Sequence, residues 1–424
     1  MRLSATLLLA ILIISCKKEN NLVTNPEDYN AYLNTETSKT TSKYFELWNS
    51  KIQQDSSQLL SFGNVASEYT RYFKNTGNIT FLKKAEQSLV KAVEIANIGK
   101  EAYARALARN YIAQHRFKEA LLMTNIAKRI GGGKKETQAL FFDVHMELGN
   151  YELAESYLDS IKNMADFGYL IRNAKWNDYQ GNLDTTIRFM EMALEKAESS
   201  KNKSLLLWSY TNLADYYGHA GRIEDSYNSY LKALELDPQN AYAKKGIAWI
   251  VFSFEKNGHE ALRILDSVTE NYNSPDYYLL KAEIANFMDD RTAMNAHMDR
   301  YYAEVQENGY GDMYNGHNVD YYLEHTKKYD KALHLAFKEI KNRPTPESYN
   351  LLARTYLKMG EAKKALQIVE GKIMGKTYEP GILLNVAEIY KANHQYDKVN
   401  TLKRELAEAF YELGPLSAKE IEML

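Results

Sequence analysis

From residue 59 onward, apolar and small residues return at steps of three and four, the spacing of a buried stripe along an α-helix. The clearest stretch runs Tyr210, Leu213, Ala214, Tyr217, then Gly221, then Ser226, Tyr230, Ala233 and Leu234, and closes on Pro238. Two amphipathic helices joined by a tight turn explain this order. The same frame carries along the chain, with starts near residues 59, 101, 135, 167, 207, 241, 275, 313, 346 and 380. At the eighth position of these frames stand Ala66, Ala108, Ala174, Ala214, Ala248, Ala282, Ala353 and Ala387, interrupted by Phe142 and Asp320. A small residue there lets paired helices approach closely. Gly149-Asn150, Gly181-Asn182 and Gly360-Glu361 supply the left-handed backbone that ends the first helix of a hairpin. No proline falls between Pro26 and Pro238, so long helices are permitted there.

This pattern resembles the tetratricopeptide repeat, a helical hairpin with small residues at its positions 8, 20 and 27 and large ones at 4, 7, 11 and 24. Position 20 is matched by Ala85, Ala120, Ala154, Ala332 and Ala365, and position 11 by Tyr69, Tyr111, Tyr217, Tyr356 and Tyr390. The resemblance implies an all-α fold, an α-solenoid of about ten stacked hairpins over residues 43–404, curved into a superhelix, with 405–424 as a polar-faced cap. Departures occur at 253–261, which carry one residue too many, at 269–312, where the pattern degenerates, and at Asp320, which replaces the alanine.

In such an array the first helix of each hairpin lines the inner surface, where partners of the family usually bind. The resemblance then places Arg105, Arg109, Asp143, Lys175, Trp208, Asp215, Tyr242, Lys245 and Trp249 on that surface. Arginine and aromatic side chains suit a protein interface. Trp208 and Trp249 fit equally well as inter-repeat core. The family's carboxylate clamp is broken here, since Ile171, Lys175, Asn212, Tyr242 and Gly246 occupy its places.

The N-terminus changes the picture of where the solenoid works. One basic residue, Arg2, precedes the apolar run Leu7 to Ile14, then Ser15 and Cys16. The run is too short to span a bilayer, which needs roughly 20 apolar residues. Residues 1–15 read as a secretory signal, and Ile13-Ile14-Ser15-Cys16 resembles the bacterial lipobox, with Cys16 as the lipidated residue. Cys16 is the one cysteine of the chain, so the mature protein has no disulfide to lean on. Residues 16–42, rich in Asn, Thr and Ser, read as a tether with a short helix near Asp28 to Leu33. Lys17 after the cysteine favours the outer membrane, and Lys17-Lys18-Glu19 resembles the export signals of Bacteroidota lipoproteins, leaving the periplasmic or the surface face open.

Candidate chemistry adds little. His317 and His325 share one predicted helix but are eight residues apart and lack the His-Glu-x-x-His spacing of a metal site. Gly131-Gly132-Gly133-Lys134 lacks the leading glycine and following hydroxyl of a phosphate loop. There is no nucleophile elbow, and neither a cofactor nor a metal is expected. A formal net charge of −2 offers no footprint for nucleic acid. The sequence therefore points away from an enzyme. It points to a lipid-anchored scaffold or adaptor that binds envelope proteins or peptides, with a glycan- or nutrient-binding lipoprotein similar to the starch-utilisation receptors as the alternative. Those receptors interrupt their hairpins with long insertions, for which only 269–312 leaves room.

Overall fold

The computed structural model describes residues 22–34, 43–52 and 57–424. The signal, the lipobox and Cys16 lie outside the described residues. Among those described, the chain is helical throughout, with no strand. Two short helices, α1 (Pro26–Leu33) and α2 (Lys43–Asn49), precede the hairpins. The first five hairpins are α3 (Leu59–Thr76) with α4 (Ile79–Ile95), α5 (Lys100–Ala113) with α6 (Phe117–Ile130), α7 (Lys134–Glu147) with α8 (Tyr151–Ser160), α9 (Phe167–Tyr179) with α10 (Leu183–Ser200), and α11 (Lys203–His219) with α12 (Ile223–Leu236). Five more follow: α13 (Ala241–Trp249) with α14 (Gly258–Thr269), α15 (Asp276–Phe287) with α16 (Arg291–Glu307), α17 (Asn315–Asp320) with α18 (Tyr329–Asn342), α19 (Pro346–Lys358) with α20 (Ala362–Ile368), and α21 (Pro380–Ala392) with α22 (Tyr396–Leu406). A last helix, α23 (Phe410–Met423), is broken at Gly414, where φ is 77°.

The alanines do what their spacing predicts. Ala85, Ala108, Ala120, Ala174, Ala193, Ala214, Ala233, Ala248, Ala353, Ala365 and Ala387 are all fully buried between paired helices. With only a methyl at the contact, the helices approach closely and their larger neighbours interlock around it. Seven of the ten hairpin turns repeat one device, an N–H bonded back to the carbonyl at frame position 11. Arg116 bonds to Tyr111 at 2.8 Å, Asn150 to His145 at 2.9 Å, Arg222 to Tyr217 at 2.8 Å and Gln395 to Tyr390 at 3.0 Å. This closure needs a left-handed residue, which Gly149 and Gly221 provide without strain. His115 and His394 adopt the same conformation with φ of 56° and 60°, at a cost of about 1 kcal/mol each.

The irregular segments resolve into π-helical turns. Ile250–Phe254 continues α13, Tyr321–His325 continues α17 and Val369–Ile373 continues α20, each absorbing one extra residue. The surplus residue near 253 has this explanation, whereas at the eighth hairpin the buried position falls on Val319, one residue before Asp320, which pairs with Arg354. The degenerate stretch 269–312 contains the regular hairpin α15 and α16. The frame start at 207 falls inside α11, which begins four residues earlier at Lys203 behind an Asn202 cap.

The solenoid also closes on itself. Ile79 and Leu82 of the first hairpin share a core with Tyr301, Tyr310 and Val319 of the seventh and eighth. Turns of the early hairpins meet loops of the late ones: Asn273 N–H donates to Thr76 O at 2.7 Å, Asn342 Nδ2 to His115 O at 3.1 Å and Lys118 Nζ to Lys341 O at 2.6 Å. The first helices of successive hairpins touch along the inside, as α5 does α7, α7 does α9 and α19 does α21. Helix α23 lies on this inner side against α11, α15 and α21, with Ser253 Oγ donating to Tyr411 O at 2.6 Å.

One inter-hairpin contact is unusually tight. Gly246 on α13 faces the Tyr230 ring on α12 so closely that an added Cβ falls 2.1 Å from the ring. We expect Gly246→Ala to lower unfolding stability by about 1–3 kcal/mol through overpacking. Gly371→Ala, which meets nothing within 4 Å, is expected to be neutral or slightly stabilising. Urea denaturation of both variants measures the contrast.

Candidate functional site

Most inner-face residues singled out from sequence are already held by neighbouring side chains. Arg172 on α9 reaches Asp143 on α7 at 2.6 Å, and Lys175 reaches Glu147 at 2.8 Å. Lys245 on α13 meets Asp276 on α15 at 2.6 Å, and Arg354 pairs with Asp320. Asp215 accepts from Tyr242 OH at 2.7 Å and also from Tyr230 OH. These pairs are polar staples that join the third hairpin to the fourth, the fifth to the sixth, the sixth to the seventh and the eighth to the ninth. Arg105 is buried and donates to Gly132 O at 3.1 Å and Thr137 Oγ1 at 3.2 Å, so it holds the triple-glycine turn. Arg109 is exposed, in the field of Asp143 and of its own neighbours Arg105 and Arg172. Trp208 is 38% exposed with its edge on Phe167 at 5.9 Å. Trp249 packs edge-on against Phe252 at 5.7 Å and lies beside Gly414 of α23.

Two cavities open on the inner side. The larger, of about 470 Å³, lies between the turns of the third to fifth hairpins and the loops leading into α19 and α21, and is closed at one end by the start of α23. Tyr151 and Tyr179 stack at 4.0 Å on one wall, and Tyr378, 54% exposed, stands over Gly181. Its two cations are already used, because Lys175 and Arg343 both reach Glu147, at 2.8 Å and 3.4 Å. They hold the Glu147 carboxyl below the ordinary value despite burial. Asp178, Glu347, Glu379 and Glu412 face the same space with little compensation. Asp178 receives only a long 3.5 Å contact from Tyr216 OH, and Glu412 lies 3.9 Å from His219 Nδ1.

Burial, together with the neighbouring charges of Glu412 and Asp178, pushes the Glu379 carboxyl up to about 7. Asp178 and Glu412 are raised too, chiefly by burial. The smaller cavity, of about 420 Å³, lies along α13, α15 and α17 and is lined by Lys245, Trp249, Glu283, His317, Asp320 and Glu324. There burial and Glu420 lift Glu283 to about 7. Among the described residues no three His, Cys, Asp or Glu side chains are grouped so as to hold a metal ion. His325 stands 3.6 Å from Asp299, away from His317.

Residues 209–240 and 346–370 match the family model of the tetratricopeptide repeat. The chain contains tetratricopeptide repeats. No characterised protein sequence matches it. Among solved structures it is similar to a tetratricopeptide repeat protein from Parabacteroides merdae, at 16% identity over 58% of this chain and 93% of that one, with a TM-score of 0.40. A Rap protein complexed with competence and sporulation factor matches at 15% identity over 76% and 99% of the two chains, with a TM-score of 0.45. Yeast Tom70 matches at 11% identity over 83% and 92%, with a TM-score of 0.34. Likenesses this distant carry no functional argument. The two matched stretches fall on the fifth and ninth hairpins.

The larger cavity escaped the sequence reading because its acids come from loops and from α23 as well as from inner helix positions. Among its acids the repeat frame places Asp178 and Glu347 at inner helix positions. Between the ordinary glutamate value and about 7, the folded chain binds more protons at Glu379 than the unfolded chain does. Stability from this group is therefore greatest at acid pH and falls as pH rises through that window. Solvent contact at Glu379 screens part of the effect. Glu379→Gln is expected to raise the melting temperature at pH 8 by ~1–3 °C, leave it unchanged near pH 4.5 and flatten the profile between. Calorimetry across that range checks both sign and window.

Proposed function

We propose that the chain is a lipid-anchored interaction scaffold of the bacterial cell envelope, without catalytic activity, which takes an extended segment of a partner protein into the larger inner cleft. The observation that carries this reading is the cleft's composition. Tyrosine faces offer large contact area at low entropic cost, and beside them stand carboxylates whose own cations are consumed by Glu147. A lysine or arginine side chain meets both needs, by ion pairing to Glu379, Glu412 or Asp178 and by lying over a tyrosine ring. The wall includes no nucleophile beside a base. The segment 269–312, which alone left room for a glycan-binding insertion, is the regular hairpin of α15 and α16. That favours the adaptor over the nutrient-capture alternative.

Anchoring rests on the sequence. Ser15 before Cys16, the short apolar run and the absence of any other cysteine support acylation at Cys16. Lys17 supports an outer-membrane site.

Fluorescence anisotropy with a labelled lysine-rich decapeptide and its glutamate-substituted counterpart tests the cleft. Binding of the lysine peptide alone is expected, weakened by salt. Combining Glu379→Gln with Glu412→Gln is expected to raise Kd by about tenfold, equivalent to ~1.4 kcal/mol. Equal binding of both peptides, or an unchanged Kd in the double variant, removes the support for this reading.

A further inference from the structure

The segment just after the lipidation motif is docked at the middle of the solenoid. Val23 and Thr24 donate their backbone N–H groups to Glu255 Oε1 at 2.9 Å and 2.7 Å, and Thr24 Oγ1 donates to Oε2 at 3.0 Å. Tyr227 OH contacts Asp28 at 3.1 Å, Tyr29 OH donates to Glu260 at 2.7 Å, and Ser267 Oγ donates to Leu33 O at 2.6 Å. Tyr29, Leu33, Thr24 and Glu255 are buried by this contact. Such a dense set of bonds to side chains more than 190 residues away marks a fixed strap.

The strap lies on the opposite side from the cleft. It touches α12 and α14, the second helices of the fifth and sixth hairpins, whereas α23 crosses the first helices on the inner side. Leu22, the first described residue, is 67% exposed, and Phe254, adjacent to the strap's anchor Glu255, is 43% exposed. Five residues lie between Cys16 and Leu22, and the six steps along the chain give a covalent reach of at most about 22 Å. An acylated Cys16 cannot carry the bilayer farther than that from the outer face of these two hairpins.

We infer that the protein rests on the bilayer by the outer face of its fifth and sixth hairpins, with Leu22 at the lipid surface and the inner cleft turned away from it. This rests on the acylation of Cys16 proposed above. A solenoid tethered by a free N-terminal chain would sample many orientations. The strap removes that freedom, so the cleft is presented to partners at a set side of the membrane.

Because acylation occupies the only native cysteine, one introduced cysteine can be labelled alone. Full-length protein isolated from membranes, carrying His259→Cys or Lys419→Cys, is labelled with a donor dye and reconstituted into phosphatidylethanolamine and phosphatidylglycerol vesicles containing an acceptor lipid. His259 is exposed beside the strap and Lys419 is exposed on α23. Transfer at least twofold more efficient from position 259 than from 419 is expected. Combining Thr24→Val with Glu255→Gln is expected to keep the protein on the vesicles but abolish that difference. Circular dichroism confirms that the helices of this variant persist, and Leu22→Asp, which spares the strap, is expected to shrink the difference. Equal transfer from both positions in acylated protein overturns the orientation while leaving the anchor standing. A mass showing no acyl chains on Cys16 overturns the anchoring reading and this inference with it.

Discussion

Paired helices that meet through alanine methyls, fully buried at position after position, set the geometry on which the rest of this molecule depends. A larger side chain at Ala108 or Ala214 would push the pair apart and change the angle passed to the next hairpin. Because the same contact recurs, small rotations accumulate into a superhelix of constant hand. Tight turns with a left-handed residue keep each pair in register.

That curvature brings hairpins distant in sequence together, and the molecule stops being one-dimensional. Simple repeat arrays derive stability from nearest neighbours. Here the first hairpin shares a core with the seventh and eighth, and the turn at His115 bonds to the loop after α18. Opening one end therefore costs contacts at both. The inner surface is correspondingly consumed, partly by the staples between Arg172 and Asp143 or Lys245 and Asp276, and partly by α23.

What the inner side leaves open is the space those contacts enclose but do not fill. Burial raises the carboxyls of Asp178, Glu379 and Glu412, and at Glu379 and Glu412 the charges of their acidic neighbours add to it. The strap packs on the second helices α12 and α14, whereas α23 packs on the first helices and on the π-helical turn of the same stretch of the solenoid.

The helices, their turns and the alanine contacts were legible in the sequence because each depends on residues within one or two turns of a local period. Frame starts at 59, 167, 241, 346 and 380 coincide with the first residues of α3, α9, α13, α19 and α21. Even the surplus residue near 253 announced the π-helical turn as a break in spacing. The sequence also named inner-face residues such as Lys175 and Asp143, but not that their charges would be spent on Glu147 and Arg172. Only the tertiary structure decided that, along with the closure of the superhelix, the acid-lined cleft and the docking of residues 22–34. Those contacts join loops, a terminal helix and a leading strap that carry no period, and their partners are set by curvature accumulated over many hairpins.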